Sequence, residues 1–215
     1  EKFMHARRNP EEGLLGAFSK DGRGSTKNKV NDSKGSASLA RAVPIGLTFA
    51  VDGKMAFDTA VKAAALSHSN PIAYYSSGAL ACIIACLAEG MSFPKSLDYA
   101  ESILTKMHKT DPILSDNRPA GKTGVWDHID SIASFGDGTN AEEALAIAIY
   151  CSIAVDDPLE AVIISANHGG KSNTTAAITG AIEGVRFGDT FIPGYWTDVL
   201  EGKEAISFLT DKLFY

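Results

Sequence analysis

Three cysteines in 215 residues are too few for a disulfide framework. Cys82 and Cys86 fall on one face of an apolar helix and read as small buried side chains. That usage suits a reducing compartment, and a cytoplasmic location is expected. Positive charge is also short: 20 Lys and Arg against 26 Asp and Glu leave a net charge of −6. General nucleic-acid binding, which needs a basic face, is therefore not expected. The longest apolar run, Ala79–Ala88, is about half of a membrane span, so no membrane partner is expected either. No stretch alternates in the way a half-buried strand does, and there is no internal repeat.

What is present is helix after helix. Alanine-rich segments carry apolar residues at three- and four-residue spacing over 58–66, 76–89, 94–109, 126–135, 141–155, 158–166, 174–185 and 203–213. Ser76, Thr139 or Asn140, and Ser172 or Asn173 suit N-caps, while Gly90, Gly184 and Gly188 suit helix ends. Residues 9–38 are rich in Gly, Ser, Asp, Asn and Lys and read as a long polar loop with one short helix. The small residues of 76–90 and 174–184 predict close helix packing at the centre of a bundle. The expectation is one all-α domain over 1–215, with a polar region to residue 34 and a helical core from residue 35. At 45% apolar and 21% charged residues it has an ordinary globular composition and enough length for a real core.

The densest chemistry lies in His168-Gly169-Gly170-Lys171-Ser172-Asn173-Thr174-Thr175. A glycine turn opening onto a helix presents free N–H groups and favours anions. One reading is a phosphate loop, since Gly170-Lys171-Ser172 ends like a Walker A motif after Ala161-Val-Ile-Ile164. Ser165 stands where the first glycine belongs, and Gly121-Lys122-Thr123 fails in the same way at Asp116. ATP binding on this turn is the outlying alternative.

The same stretch, through Gly184, resembles the Gly-Gly-Asp-Ser/Thr-Asp-Thr signature of the ADP-ribosylglycohydrolases. Three further segments agree in order. Gly35-Ser36-Ala37-Ser38-Leu39-Ala40-Arg41-Ala-Val-Pro44 resembles the family's Gly-Asn-Gly-Ser-Met-Arg…Pro segment. Ser67-His68-Ser-Asn-Pro71 resembles its Thr-His-x-x-Pro segment, and Gly138-Thr-Asn140-Ala-Glu142-Glu143 the opening of its penultimate core helix. The resemblance implies the family's all-α bundle and recognition of ADP-ribose or an ADP-ribosylated protein. It implies a ligand site at Gly35, Ser36, Ser38, Gly169, Gly170, Lys171, Ser172, Asn173 and Thr174.

Departures shape the expected chemistry. Family members bind paired magnesium ions through the two aspartates of that signature, and Lys171 and Asn173 stand in their places. Hard divalent ions want carboxylates, so no metal or other cofactor is expected, and the Lys171 ammonium would meet an anion directly. The family's Gly-Asp-Ala-Leu-Gly helix and Thr-Asp-Asp motif have no counterpart, so its first helices are expected to be missing. Three outcomes follow: a degenerate or metal-independent reader of ADP-ribose; an active hydrolase completed by a separate N-terminal chain; or a structural protein of crystallin type.

The remaining polar residues have plainer readings. Arg41 suits an ion pair as well as a ligand, and His68 a structural position before a helix start. His168 bonds either ligand or carbonyl. Glu142 and Glu143 suit a first turn, where acidic groups are favoured. Asp127, His128 and Asp130 read as a solvated helix face.

Overall fold

The computed structural model describes residues 10–18, 24–107 and 125–214. Lys109, the Gly121-Lys122-Thr123 triplet and the Asp127 side chain lie outside what is described. Among the described residues there are eleven α-helices and no strand. They are α1 (Glu12–Phe18), α2 (Ala42–Thr48), α3 (Gly53–Ala65), α4 (Pro71–Ala88), α5 (Phe93–Met107) and α6 (Val125–Ala133), then α7 (Ala141–Ala154), α8 (Pro158–Ala166), α9 (Ser172–Phe187), α10 (Gly194–Asp198) and α11 (Lys203–Phe214). A 3-10 segment, Ser36–Arg41, leads directly into α2. The all-α bundle expected from the apolar spacing is the architecture found.

Several helices begin earlier than their periodicity predicts, and local chemistry gives the reason. α4 starts at Pro71 rather than near Ser76, because proline is preorganised for the first turn. The Asn70 side chain accepts from the Ile72 N–H at 3.0 Å. α3 starts five residues before Asp58, where Asp52 accepts from the Met55 N–H at 2.9 Å. α9 starts at Ser172, so neither Ser172 nor Asn173 caps it; Lys171 holds the cap position without a side-chain bond. Gly188, with φ 78°, ends α9, whereas Gly184 lies inside it.

The core forms around α4, whose residues from Ser76 to Leu87 are all buried. α2, α3 and α5 pack against it, and two glycines permit close approach. A Cβ on Gly78 would lie 2.8 Å from Val61 Cγ2, and one on Gly46 2.7 Å from the Ala81 carbonyl. Phe57, Leu80, Ile83, Ile84 and Leu145 are fully enclosed, each stabilising the fold by about 1.5–3 kcal/mol through apolar burial. α4 is long and apolar enough to cross a membrane by length and composition, but its side chains are spent on this core.

A second, smaller cluster joins Ile132, Ile147, Tyr150, Cys151 and Ile164. His128 belongs to it rather than to a solvated face: it is 1% exposed, with Nδ1 3.0 Å from the Tyr150 hydroxyl. Asp130 alone of that group is exposed among the described side chains. At the far end of the chain, α11 leaves Ile206, Phe208 and Leu209 more than half exposed.

Candidate functional site

Three loops meet where the predicted site residues lie. Loop 33–36 pairs with loop 136–141 through Ser36 N–H to the Thr139 carbonyl, 2.9 Å, and Ala141 N–H to the Lys34 carbonyl, 2.8 Å. Loop 168–171 joins the same central loop through Lys171 N–H to the Asp137 carbonyl, 2.7 Å. Gly138, with φ 77°, gives the central loop a turn that side chains resist. The sequence places these segments far apart, and the bundle brings them together at one end.

His168 fixes the double-glycine turn. Its Nδ1 accepts from the Gly170 N–H at 3.2 Å, and its Nε2 lies 2.7 Å from the Thr175 hydroxyl. That hydroxyl donates onward to the Ser165 carbonyl at 2.8 Å, so the imidazole donates through Nε2 and is neutral. Burial lowers the His168 pKa, opposed by the charge of Asp137. His168 is therefore a tie within the protein and has no nitrogen left for a ligand.

The predicted residues divide among three surfaces. Lys171 enters a cleft of about 470 Å³ with Glu11, Glu12, Lys34, Gly35, Thr139 and Asn140. Asn173 and Thr174 face the other way, into a groove of about 1150 Å³ with Ser36, Leu39, Val43, Leu47, Ile178 and Leu209. Gly169, exposed at the turn, and Gly170, pressed against Asp137, line a third cavity of about 250 Å³ with Ile129, Ile132 and His168. Ser38 is fully buried, and its hydroxyl donates to the Gly35 carbonyl at 3.0 Å and the Ala73 carbonyl at 3.3 Å. It braces the loop from behind. Ser172 is half-buried beside Lys171.

The N–H groups of the Gly35 loop all have partners. Gly35 donates to Ser33 Oγ at 3.2 Å, Ser36 to Thr139, Ser38 to the Gly35 carbonyl at 3.4 Å, and Ala37 to Glu11 Oε2 at 2.9 Å. Glu11 is a site residue that sequence reading missed. Its second oxygen lies 3.2 Å from His68 Nε2 and 3.3 Å from Ser33 Oγ. Burial pushes its pKa up, but the His68, Ala37 and Ser33 contacts outweigh that and hold it below the ordinary value.

Behind Glu11 runs a line of polar contacts. Arg41 donates through NH2 to Ser67 Oγ and through NH1 to the Ala63 carbonyl at 2.9 Å. Ser67 Oγ lies 2.9 Å from His68 Nδ1. Since Ser67 accepts from Arg41, its proton faces Nδ1, and His68 presents Nε2–H to Glu11. The order acid, histidine, serine resembles a nucleophilic triad, yet Ser67 is 4% exposed and His68 fully buried. No substrate reaches that hydroxyl, so the line positions Glu11. At the entry of α7, Glu143 accepts from the Asn140 backbone N–H at 3.4 Å, the capping role expected for one of the two glutamates, and from the Asn140 side-chain amide at 2.8 Å.

The family resemblance implies magnesium, and the donor set is unsuited to it. The first turn of α9 offers an ammonium, an amide and hydroxyls without a carboxylate. Among the described residues no three His, Cys, Asp or Glu side chains are grouped to hold a metal ion.

Comparison with known proteins agrees with the motifs. The family model for ADP-ribosylglycohydrolase matches residues 2–215. The chain is 28% identical over 175 residues to an uncharacterized protein of Archaeoglobus fulgidus, covering 81% of this chain and 56% of that one. It is 36% identical over 86 residues to the ADP-ribosylarginine hydrolase Tri1 of Serratia proteamaculans, covering 40% of this chain and 23% of that protein. It is 29% identical over 93 residues to the human ADP-ribosylhydrolase ARH3, covering 38% and 26%. The chain thus spans about half the length of the first relative and about a quarter of the other two. With the family model matched across almost the whole chain, this protein belongs to the ADP-ribosylglycohydrolase family.

Proposed function

We propose that this chain recognises ADP-ribose, free or attached to a protein, and does so without a metal ion. The observation that carries this reading is the position of Lys171. Where the family signature has an aspartate, an ammonium shares a cleft with Lys34 and the Gly35 loop. Neither lysine forms a salt bridge among the described residues, although the Lys34 charge also acts on Glu142, so Lys171 is the cation best placed to meet a diphosphate. Thr139 and Asn140 of the central loop complete the cleft wall opposite the Gly35 loop. Hydrolysis of a glycosidic bond by metal-assisted water attack needs a Lewis acid, and Lys171 with Asn173 replaces the residues that would hold one.

Calorimetric titration with ADP-ribose, with and without magnesium, tests this. Binding is expected to be indifferent to magnesium and to fall at least tenfold in Lys171→Ala, the loss of one charge-assisted phosphate contact being worth about 1.5–3 kcal/mol. Binding that appears only with magnesium, or release of ADP-ribose from a modified protein at a clear rate, would overturn it.

A second reading rests on the groove at Asn173 and Thr174. Its walls are largely apolar and α11 crosses it with Ile206 and Leu209 more than half exposed. A separate N-terminal chain carrying acidic residues, seated there, would complete a hydrolase. Gel filtration with multi-angle light scattering, together with a hydrolysis assay on the mixture, separates the two. A gain of turnover on adding such a chain favours the second reading. A monomer inert to it favours the first, and a protein with neither affinity nor turnover would be a structural member of the family.

A further inference from the structure

We infer that Glu11 is an internal competitor for the ligand's anionic group, its carboxylate occupying in cis the seat that a phosphate oxygen takes when ADP-ribose enters. The inference rests on the ligand reading above and adds its regulation.

The seat consists of donors alone. Ala37 N–H, His68 Nε2–H and Ser33 O–H converge on the two oxygens of Glu11 at 2.9, 3.2 and 3.3 Å. The carboxylate lies directly over Gly35, where a Cβ would fall 1.3 Å from Oε1. A site with three donors and no acceptor selects an oxyanion of either kind, carboxylate or phosphate. Ser36 and Ser38 donate to main-chain carbonyls and Gly35 to Ser33 of the same loop, so Ala37 is the one whose side-chain partner comes from a separate segment. Glu11 forms no ion pair with Lys34 or Lys171 of the same cleft, although both line it. Among the described residues the cleft thus holds its two lysines apart from Glu11, beside a seat already filled.

The segment that delivers Glu11 is lightly held. α1 has seven residues and buries only Ala17, while Phe18 is 79% exposed and Leu15 42%. Besides the Glu11 contacts, its ties to the rest of the molecule include the Asn31 amide donating to the Gly13 carbonyl at 2.9 Å and the close approach of Gly13 to Ser33. Lifting it exposes little apolar surface. What it leaves behind is His68 Nε2–H and Ala37 N–H without an acceptor, which a phosphate then supplies. The same three donors exchange one anion for another.

Titrations of wild type, Glu11→Gln and Glu11→Ala with ADP-ribose and with inorganic diphosphate test this. Removing the competitor is expected to tighten both probes by about tenfold in Glu11→Ala, because competition divides apparent affinity by the open fraction. Equal affinities in wild type and Glu11→Ala, or weaker binding in the variant, overturn the inference while leaving ADP-ribose recognition intact. Diphosphate binding gained in Glu11→Ala with no ADP-ribose binding in any form keeps the exchange and overturns the ligand reading. Should Glu11→Ala fail to fold, amide exchange of the wild type decides. Diphosphate should speed exchange across Leu14–Phe18 and slow it at Ala37, and unchanged exchange at both overturns the proposal.

Discussion

Gly170 packs its α-carbon against the backbone of Asp137, so tightly that a Cβ would lie 1.9 Å from the Asp137 carbonyl oxygen. The same carbonyl accepts from the Lys171 N–H at 2.7 Å. One peptide oxygen therefore fixes both the glycine and the lysine that follows it. Its neighbour Gly169 has open space where a side chain would go.

The two glycines should consequently respond differently to alanine. Gly170→Ala forces the 136–141 and 168–171 loops apart and should cost about 1–3 kcal/mol, as overpacking does. Gly169→Ala should stay within about 0.5 kcal/mol of wild type. Urea unfolding of both variants checks this. Equal destabilisation would mean that the loops are not pressed together here.

The neutral imidazole of His168 ties stability to pH. Burial, its main influence, lowers its folded pKa below the ordinary 6.5. Below 6.5 the unfolded chain takes up a proton that the folded one refuses, so the contribution is whole above 6.5. It is lost as pH falls through the folded value. The decline in unfolding free energy on acidification from pH 7 should be shallower in His168→Asn than in wild type. Parallel declines would show that His168 is not held neutral. At neutral pH the variant should still lose about 1–3 kcal/mol, the cost of a buried donor left without its acceptor.

Arg41 makes a third prediction, and it concerns geometry more than charge. Its two nitrogens reach separate acceptors, Ala63 carbonyl and Ser67 Oγ, and burial lowers its pKa. A lysine has one nitrogen and can serve one of them. Arg41→Lys should lose about 0.5–1.5 kcal/mol, the worth of one hydrogen bond, and Arg41→Ala more. For a chain of this length a loss of 1 kcal/mol lowers Tm by about 2–4 °C, which calorimetry resolves. A lysine variant with wild-type Tm would show that one of the two contacts carries no stability.

Much of this fold was legible in the sequence, and the failures have physical causes. α4 and α7 are buried on all sides, so no polar stripe marks their phase. Their existence was plain from alanine and apolar density, but the start of α4 was set by Asn70 and Pro71, which periodicity does not weigh. At the site, the glycine turn and the Gly35 loop were recognisable as motifs. The split between Lys171 and Asn173 was not, because residues two apart at a helix start diverge by about 200°. Glu11 sits in a polar stretch without periodicity, and its partners lie 22, 26 and 57 residues away in sequence. Only a folded chain brings them within reach.

The pair Glu183 and Arg186 on α9 gives the sharpest test of the buried electrostatics. Glu183 is 1% exposed, and its two oxygens accept from one Arg186 nitrogen at 2.7 and 3.0 Å. That nitrogen also donates to the Ser152 carbonyl at 2.9 Å, and the guanidinium lies 4.9 Å above the Phe93 ring. Burial raises the Glu183 pKa above its ordinary 4.5, opposed by Arg186. Removing the arginine leaves the carboxylate buried without its cation, which should cost about 3–5 kcal/mol at neutral pH. The sign of the pH effect follows from the raised pKa. The folded state holds a proton that the unfolded state has released, so stability falls as pH rises through the folded value. In Arg186→Ala that value moves higher still, and the deficit should shrink markedly at pH 4, where the carboxyl is protonated in place. Glu183→Gln in the same background should recover much of the loss at neutral pH. A deficit that is the same at pH 4 and pH 7, with no rescue by the glutamine, would mean that Arg186 stabilises α9 by stacking on Phe93 and Phe187 and not by pairing with Glu183.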